Sequence, residues 1–185
     1  MFKKILFIIA SEGFQPIEYG DAKKVLEAAG HQVVAVSDMA GKAIAKDGSA
    51  VEVDLIVSEL NARRDLSPAL SSAEEREHNY DGLFFIGGPG ALEHLDNEDS
   101  YKLLREWQKT GKPYGAICIS PRILAKAGVL QNKKATGWDS DGELARIFAD
   151  NGVEYVRQPV VVDGNVVTGN GPSAAREWGE KIISN

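Results

Sequence analysis

Apolar residues along the chain fall into short continuous runs separated by stretches with helical spacing. The run KKILFIIA (3–10) shows no polar alternation, the pattern of a strand covered on both faces in a parallel sheet. From Ile17 to Ala29, Ala22, Val25, Leu26 and Ala29 keep helical spacing, and Gly30 then supplies a stop. HQVVAVSD (31–38) returns to strand character. GLFFIGGPG (82–90) is a buried strand ending in glycines, Leu103, Leu104 and Trp107 mark the next helix, and KPYGAIC gives a further strand. This rhythm predicts a flavodoxin-like, doubly wound α/β fold, a mostly parallel sheet sandwiched by helices, with ligands at the carboxyl ends of its strands.

Two regions break the rhythm. VVVDGNVVT (160–168) places two β-branched runs around Asp163-Gly164, which predicts an antiparallel hairpin near the C-terminus. The charge-dense segment 58–80 reads as a surface excursion with a short helix, not as a linker. Near the end, Ala174, Ala175, Trp178 and Ile182 share one helical face, so a docked helix is expected. No internal repeat appears, and 185 residues fit one domain spanning 1–185.

Composition narrows the function classes. A net charge of -6 offers no basic footprint for a phosphate backbone, which argues against nucleic acid as a partner. The first apolar run is short and soon meets Glu12, unlike a signal peptide or a membrane span. One cysteine excludes an internal disulfide and suits a reducing, cytoplasmic setting. One Cys and three scattered His show no metal-ligand spacing, so neither a metal nor another cofactor is expected.

That cysteine, Cys118, falls between a strand and a helix, where open α/β sheets do chemistry. Free N–H groups at the helix start are expected to lower its pKa and to steady an oxyanion on a carbonyl attacked by sulfur. The alternative is a small buried hydrophobe. Pro16 suits a first helical position, which sets Glu18 in the first turn after the first strand. If its carboxyl faces the thiol, burial and the neighbouring negative charge raise its pKa and make it a proton donor; otherwise it is an acid favoured at a helix start. In GGPG (87–90), Gly88 and Pro89 either border the oxyanion site or only make a tight turn. None of His31, His78 and His94 adjoins Cys118 in sequence, and His94 is the candidate for a dyad formed in space.

Together these residues resemble the ThiJ/PfpI superfamily. AICISPRILAKAGVL is similar to its nucleophile elbow, and ILFIIASEGFQPIE to its first strand and acidic partner, here Glu18. AKDGSAVEVD (45–54), DGLFFIGGPG and VVVDGNVVTGNGPSAAREWGEKI follow in the family's order. The resemblance implies Cys118 as nucleophile, Glu18 as proton shuttle, backbone of Gly88 and Ile119 at an oxyanion, and Pro89 and Trp138 at the pocket. It implies a homodimer acting on a small-molecule carbonyl, with glyoxalase III-like or deglycase-type activity. Ile119 stands where the peptidase-like branch has His, which argues against a protease mechanism. The elbow and C-terminal motifs look closer to the branch of the parkinsonism-associated protein deglycase. That branch commonly has His where Trp138 stands here. Two further roles stay open: a cysteine oxidised to a sulfinate beside Glu18 in an oxidative-stress sensor or chaperone-like protein, and a hydrolase using His94 or a partner subunit's residue.

Overall fold

The computed structural model describes residues 3–62 and 80–185. In chain order these form β1 (Lys4–Ile9), β2 (Glu12–Phe14), α1 (Pro16–Ala28), β3 (Gln32–Ser37), β4 (Lys42–Ala45), β5 (Ala50–Glu52), β6 (Leu55–Ile56) and α2 (Val57–Ala62). After the undescribed stretch come β7 (Gly82–Phe85), α3 (Ala91–His94), α4 (Glu98–Lys109), β8 (Tyr114–Ile117), α5 (Pro121–Lys126), β9 (Lys134–Ala135) and α6 (Leu144–Asp150). The chain closes with β10 (Glu154–Tyr155), β11 (Val160–Asp163), β12 (Val166–Gly169), a short 3-10 turn (Pro172–Ala174) and α7 (Ala175–Ser184). Most of the polar excursion, His78 included, lies outside the described residues; its first part belongs to α2. Among the described residues no helix is long and apolar enough to cross a membrane.

The main sheet has the order β11-β12-β8-β7-β1-β3-β6. All neighbours run parallel except β11 and β12, whose antiparallel pairing closes with Asp163 opposite Val166 around Gly164. β1 lies between β3 and β7, so the order reverses there and the chain leaves β1 and β7 toward opposite sides. A crevice opens at their carboxyl ends. Because helices cover both faces, every residue of β1 after Lys4 is buried, which accounts for its unbroken apolar sequence. The left-handed Gly30 ends α1, and the His31 N–H donates to the Leu26 carbonyl at 3.0 Å.

Two short pairings were not foreseen from the sequence. β2, β4 and β5 make a small separate sheet, and β9 pairs with β10. The small sheet seats the loop after β1, since the Ile44 N–H donates to the Ser11 carbonyl at 2.8 Å and the Lys46 N–H to the Phe14 carbonyl at 3.0 Å.

The C-terminal helix is docked as its spacing predicts. Ala174, Ala175, Trp178 and Ile182 are all buried. Gly179 lies against Ala22 of α1, where an added Cβ would come within 3.2 Å of the Ala22 Cα, so the two helices meet nearly backbone to backbone. The Trp178 ring stacks on Phe7 at 5.8 Å and stands edge-on to Phe84 at 5.6 Å, and its indole N–H donates to the Val167 carbonyl at 3.1 Å. One side chain thereby ties α7 to β1, β7 and β12. Trp178→Ala should cost about 3–5 kcal/mol, read as a lower urea midpoint with unchanged slope by far-UV circular dichroism. Trp178→Phe, which keeps a ring against Phe7, should lose less than half as much.

Candidate active site

Three segments meet in the crevice. The loop after β1 and the turn after β7 are joined by two backbone hydrogen bonds, from the Gln15 N–H to the Gly87 carbonyl at 2.8 Å and from the Gly90 N–H to the Gly13 carbonyl at 3.2 Å. Only glycine permits this approach at 88, which has φ 121° and where a Cβ would lie 2.4 Å from the Gly13 carbonyl oxygen. The third segment is the turn from β8 into α5, with Cys118 at its tip.

Cys118 has φ 64°, a left-handed conformation that costs a non-glycine residue about 1–3 kcal/mol. It is held there from both sides. Its N–H donates to the Gly169 carbonyl at 2.9 Å, and its carbonyl accepts from the Trp138 N–H at 2.7 Å. Behind it, the Ser120 hydroxyl donates to the Ile86 carbonyl at 2.8 Å, pinning the elbow to the end of β7. The strained turn lifts the half-buried thiol out of the sheet toward the cavity.

Glu18 enters from the first turn of α1, which begins at Pro16 with Gln15 as its N-cap. The carboxyl is fully buried. Oε2 accepts from the Gly87 N–H at 3.0 Å. Among the described residues Oε1 completes no hydrogen bond of ordinary geometry, although the thiol lies close enough for the two side chains to interact. Gly87 makes the meeting possible, because a Cβ there would sit 2.5 Å from the Cys118 Cβ and 2.8 Å from Glu18 Oε2. Nothing in the sequence distinguishes Gly87 from Gly88, and the first was not singled out.

Burial pushes Glu18 up to about 7, against the thiol interaction, the Gly87 N–H and the Lys46 charge, which all pull it down. The raised carboxyl agrees with the part of the expectation that rests on burial, whereas the neighbouring thiol lowers it and does not raise it as a charged neighbour would. The lowered thiol pKa does not hold. Burial first, and the Glu18 charge second, push Cys118 up to about 12, while the N–H groups of Ile119 and Gly88 pull only part of the way back. The helix-start N–H groups are in place, but desolvation and a like charge outweigh them.

A cavity of about 350 Å³ opens over the thiol, bordered by Gln15, Lys46, Gly88, Pro89, Ile119, Trp138 and Pro172. Cys118, Glu18, Gly88, Pro89, Ile119 and Trp138 are therefore brought together. Gln15 and Lys46 were not anticipated. Arg122 was also overlooked, although an arginine inside the apolar run of α5 was a usable signal. Its guanidinium is buried, lies 5.5 Å from the Trp138 ring centre, donates to the Trp138 carbonyl at 3.2 Å and forms a two-pronged pair with Asp141 at 2.6 and 2.9 Å. This clamp fixes Trp138 as a cavity wall.

His94 is not brought to Cys118. It borders a separate groove with Glu12, Gly13, Pro89, Gly90 and Glu93, and its Nδ1 lies 3.1 Å from Asp38 Oδ2 and 3.2 Å from the Ser11 hydroxyl. Among the described residues no three His, Cys, Asp or Glu side chains gather as metal ligands.

Known proteins share this arrangement of elements. The chain is 31% identical to deglycase PfpI of Pyrococcus furiosus, over 97% of each chain. A ThiJ/PfpI domain protein from Brachyspira murdochii superposes with a TM-score of 0.82 at 26% identity, covering 98% of this chain and 94% of that one. DJ-1beta of Drosophila melanogaster superposes with a TM-score of 0.81 at 26% identity, covering 100% of this chain and 90% of the other. The DJ-1/PfpI family profile matches residues 3–185, from the first strand through the elbow to the docked C-terminal helix, and the chain belongs to that family.

Proposed function

We propose that the protein is a cofactor-independent cysteine enzyme acting on small reactive carbonyls, in the manner of a glyoxalase III or a deglycase. The observation that carries this reading is the left-handed Cys118 elbow set against a buried Glu18 whose Oε1 has no hydrogen-bonded partner among the described residues, both beneath one cavity. The deglycase names of relatives support the same class.

The chemistry follows from the pair. A thiol held at about 12 supplies little thiolate at neutral pH, so sulfur becomes nucleophilic only as its proton leaves. Glu18, ionised above about 7, is the acceptor. With an α-oxoaldehyde, sulfur bonds to the aldehyde carbon, the thiol proton passes to Glu18, and the oxyanion forms beside the N–H groups of Gly88 and Ile119, neither of which donates to a backbone carbonyl among the described residues. Protonation of that oxygen gives a hemithioacetal and returns Glu18 to its base form. Glu18 then removes the C–H proton to give an enediol and delivers it to the neighbouring carbon, leaving a thioester of a hydroxy acid. Water cleaves the thioester and restores the thiol.

The same features weigh against the other two roles. A sensor cysteine reacts with peroxide as an exposed, low-pKa thiolate, whereas this thiol is half-buried and raised. A peptidase of the cysteine-histidine type needs an imidazole at the thiol, and none of the described residues bordering the cavity is His.

Methylglyoxal and glyoxal should be converted to lactate and glycolate without glutathione or added metal, and Cys118→Ser should reduce turnover to background. Selective oxidation of Cys118 by peroxide with no aldehyde consumption would instead support the sensor. In the wild type kcat/KM should rise with pH and level off above about 7, as Glu18 loses its proton. Glu18→Gln should lower kcat/KM by roughly 10²–10⁴-fold and move the inflection upward, because only the thiol then titrates.

Stability should respond in the opposite sense. Unfolded Glu18 releases its proton near 4.5, while the folded protein holds it to about 7, so stability is intact below the first value and falls as pH rises toward the second. The loss amounts to about 3 kcal/mol. Glu18→Gln should therefore be the more stable protein at mildly alkaline pH and lose that advantage near pH 4.5 in urea titrations. Equal stability at both pH values would mean that the carboxyl is not buried as a charge.

A further inference from the structure

The polar lining of the Cys118 cavity is made of donors. Gln15 is 4% exposed, and its Oε1 is committed as the α1 N-cap, accepting from the Ile17 N–H at 3.3 Å. That leaves the amide NH2 for the cavity it borders, with no partner among the described residues. The Trp138 indole N–H has no partner among them either. The backbone N–H groups of Gly88 and Ile119 add two more donors near the sulfur.

Lys46 completes the set with a full charge. Its backbone is fixed by the hydrogen bond to Phe14, which places the exposed side chain at the cavity rim. Among the described residues no carboxylate lies within ion-pair reach of its ammonium, although Lys42 in the same small sheet pairs with Glu52 at 3.2 Å. The adjacent Asp47 carboxylate is occupied within its own turn, accepting from the Ser49 N–H at 2.9 Å and the Ser49 hydroxyl at 2.6 Å. Among the described residues the only acid in the site is Glu18, buried beneath the thiol. On a chain of net charge -6, an unpaired cation beside several unspent donors is a local inversion of sign.

We infer that this site selects carbonyl substrates carrying an anionic group, a carboxylate or a phosphate, which Lys46 holds at the cavity rim with the Gln15 amide while the aldehyde carbon reaches Cys118. The inference deepens the carbonyl-enzyme reading and rests on it. A charge-assisted hydrogen bond is about twice as strong as a neutral one, so the anionic group dominates recognition of so small a substrate. A cavity of about 350 Å³ has room for a few-carbon chain with such a group at its end.

The test compares kcat/KM for methylglyoxal, which is neutral, with dioxopentanoate, an α-oxoaldehyde ending in a carboxylate, and hydroxypyruvaldehyde phosphate, which ends in a phosphate. At least one anionic substrate should exceed methylglyoxal tenfold or more, and the two arms tell carboxylate from phosphate. That ratio should collapse in Lys46→Ala, return in Lys46→Arg, and decline with added salt. A wild-type ratio near one, or a ratio unmoved in Lys46→Ala, overturns the inference. A second readout needs no turnover: alkylation of Cys118, in which sulfur bonds to carbon and iodide leaves, by anionic iodoacetate and by neutral iodoacetamide. The rate ratio of acid to amide, referred to free cysteine, should fall several-fold in Lys46→Ala. If no aldehyde is consumed, the enzyme reading fails on its own, and an alkylation ratio insensitive to Lys46 then removes the anion site as well.

Discussion

A carboxyl group with no solvent exposure, set against a thiol, is the constraint around which this molecule is arranged. Glu18 and Cys118 cannot both carry charge in so dry a place, so between them they keep a proton over a wide pH range. The arrangement is unfavourable for folding, because a buried carboxylate with one hydrogen-bonded oxygen is less well solvated than in water. On the proposed reading, that unfavourable state is what an incoming substrate relieves, by taking the charge from sulfur and offering hydroxyl hydrogens to Oε1.

Much of the surrounding structure serves to hold the two groups in contact. The left-handed turn at Cys118 is strained on its own and persists because Gly169, Trp138 and Ile86 hydrogen-bond to the elbow from three separate segments of the chain. Glu18 is aimed by α1, and α1 is anchored by its close crossing with α7 and by Tyr19, whose ring stands edge-on to Phe7 and Phe14. Gly87 supplies the missing volume between them. Rigidity of this kind is cheapest at the carboxyl ends of central parallel strands, whose backbones are paired on both sides and whose side chains are buried on both faces.

Elements set by period were legible in the sequence, and elements set by contact were not. The apolar runs of β1, β3, β7 and β8, the spacing of α1, α4 and α7, and the Asp163-Gly164 turn each carry their own signal in residue order. β2, β4 and β5 span three or four residues each, too short for alternation to declare itself, and exist because they pair with one another. The site divides along the same line. Cys118 and Glu18 could be named from their places at strand-to-helix junctions, and the cavity places of Pro89 and Trp138 from resemblance. Gln15, Lys46, Gly87 and Arg122 gain meaning only from distances, since an N-cap glutamine, a turn lysine and a glycine in GGPG have ordinary local explanations. The thiol pKa shows the same limit, for position identified the N–H groups that lower it but not the depth of burial that raises it further.

The absence of an imidazole at the thiol among the described residues sets the scope of the proposed chemistry. With Ile119 after the cysteine and Trp138 clamped by Arg122 across the cavity, Glu18 is left as the sole proton carrier at the sulfur among the described residues. A carboxyl of pKa about 7 moves protons readily between thiol, carbonyl oxygen and an acidic C–H. Expelling an amine from a peptide asks for more, because the leaving nitrogen must be protonated while the acyl carbon is far less electrophilic than an aldehyde. Aldehydes and α-oxoaldehydes accept sulfur without a leaving group. On the proposed reading the pair is therefore matched to additions and proton shifts on activated carbonyls, and the Ile119 and Trp138 walls shape and dry the space in which those shifts occur.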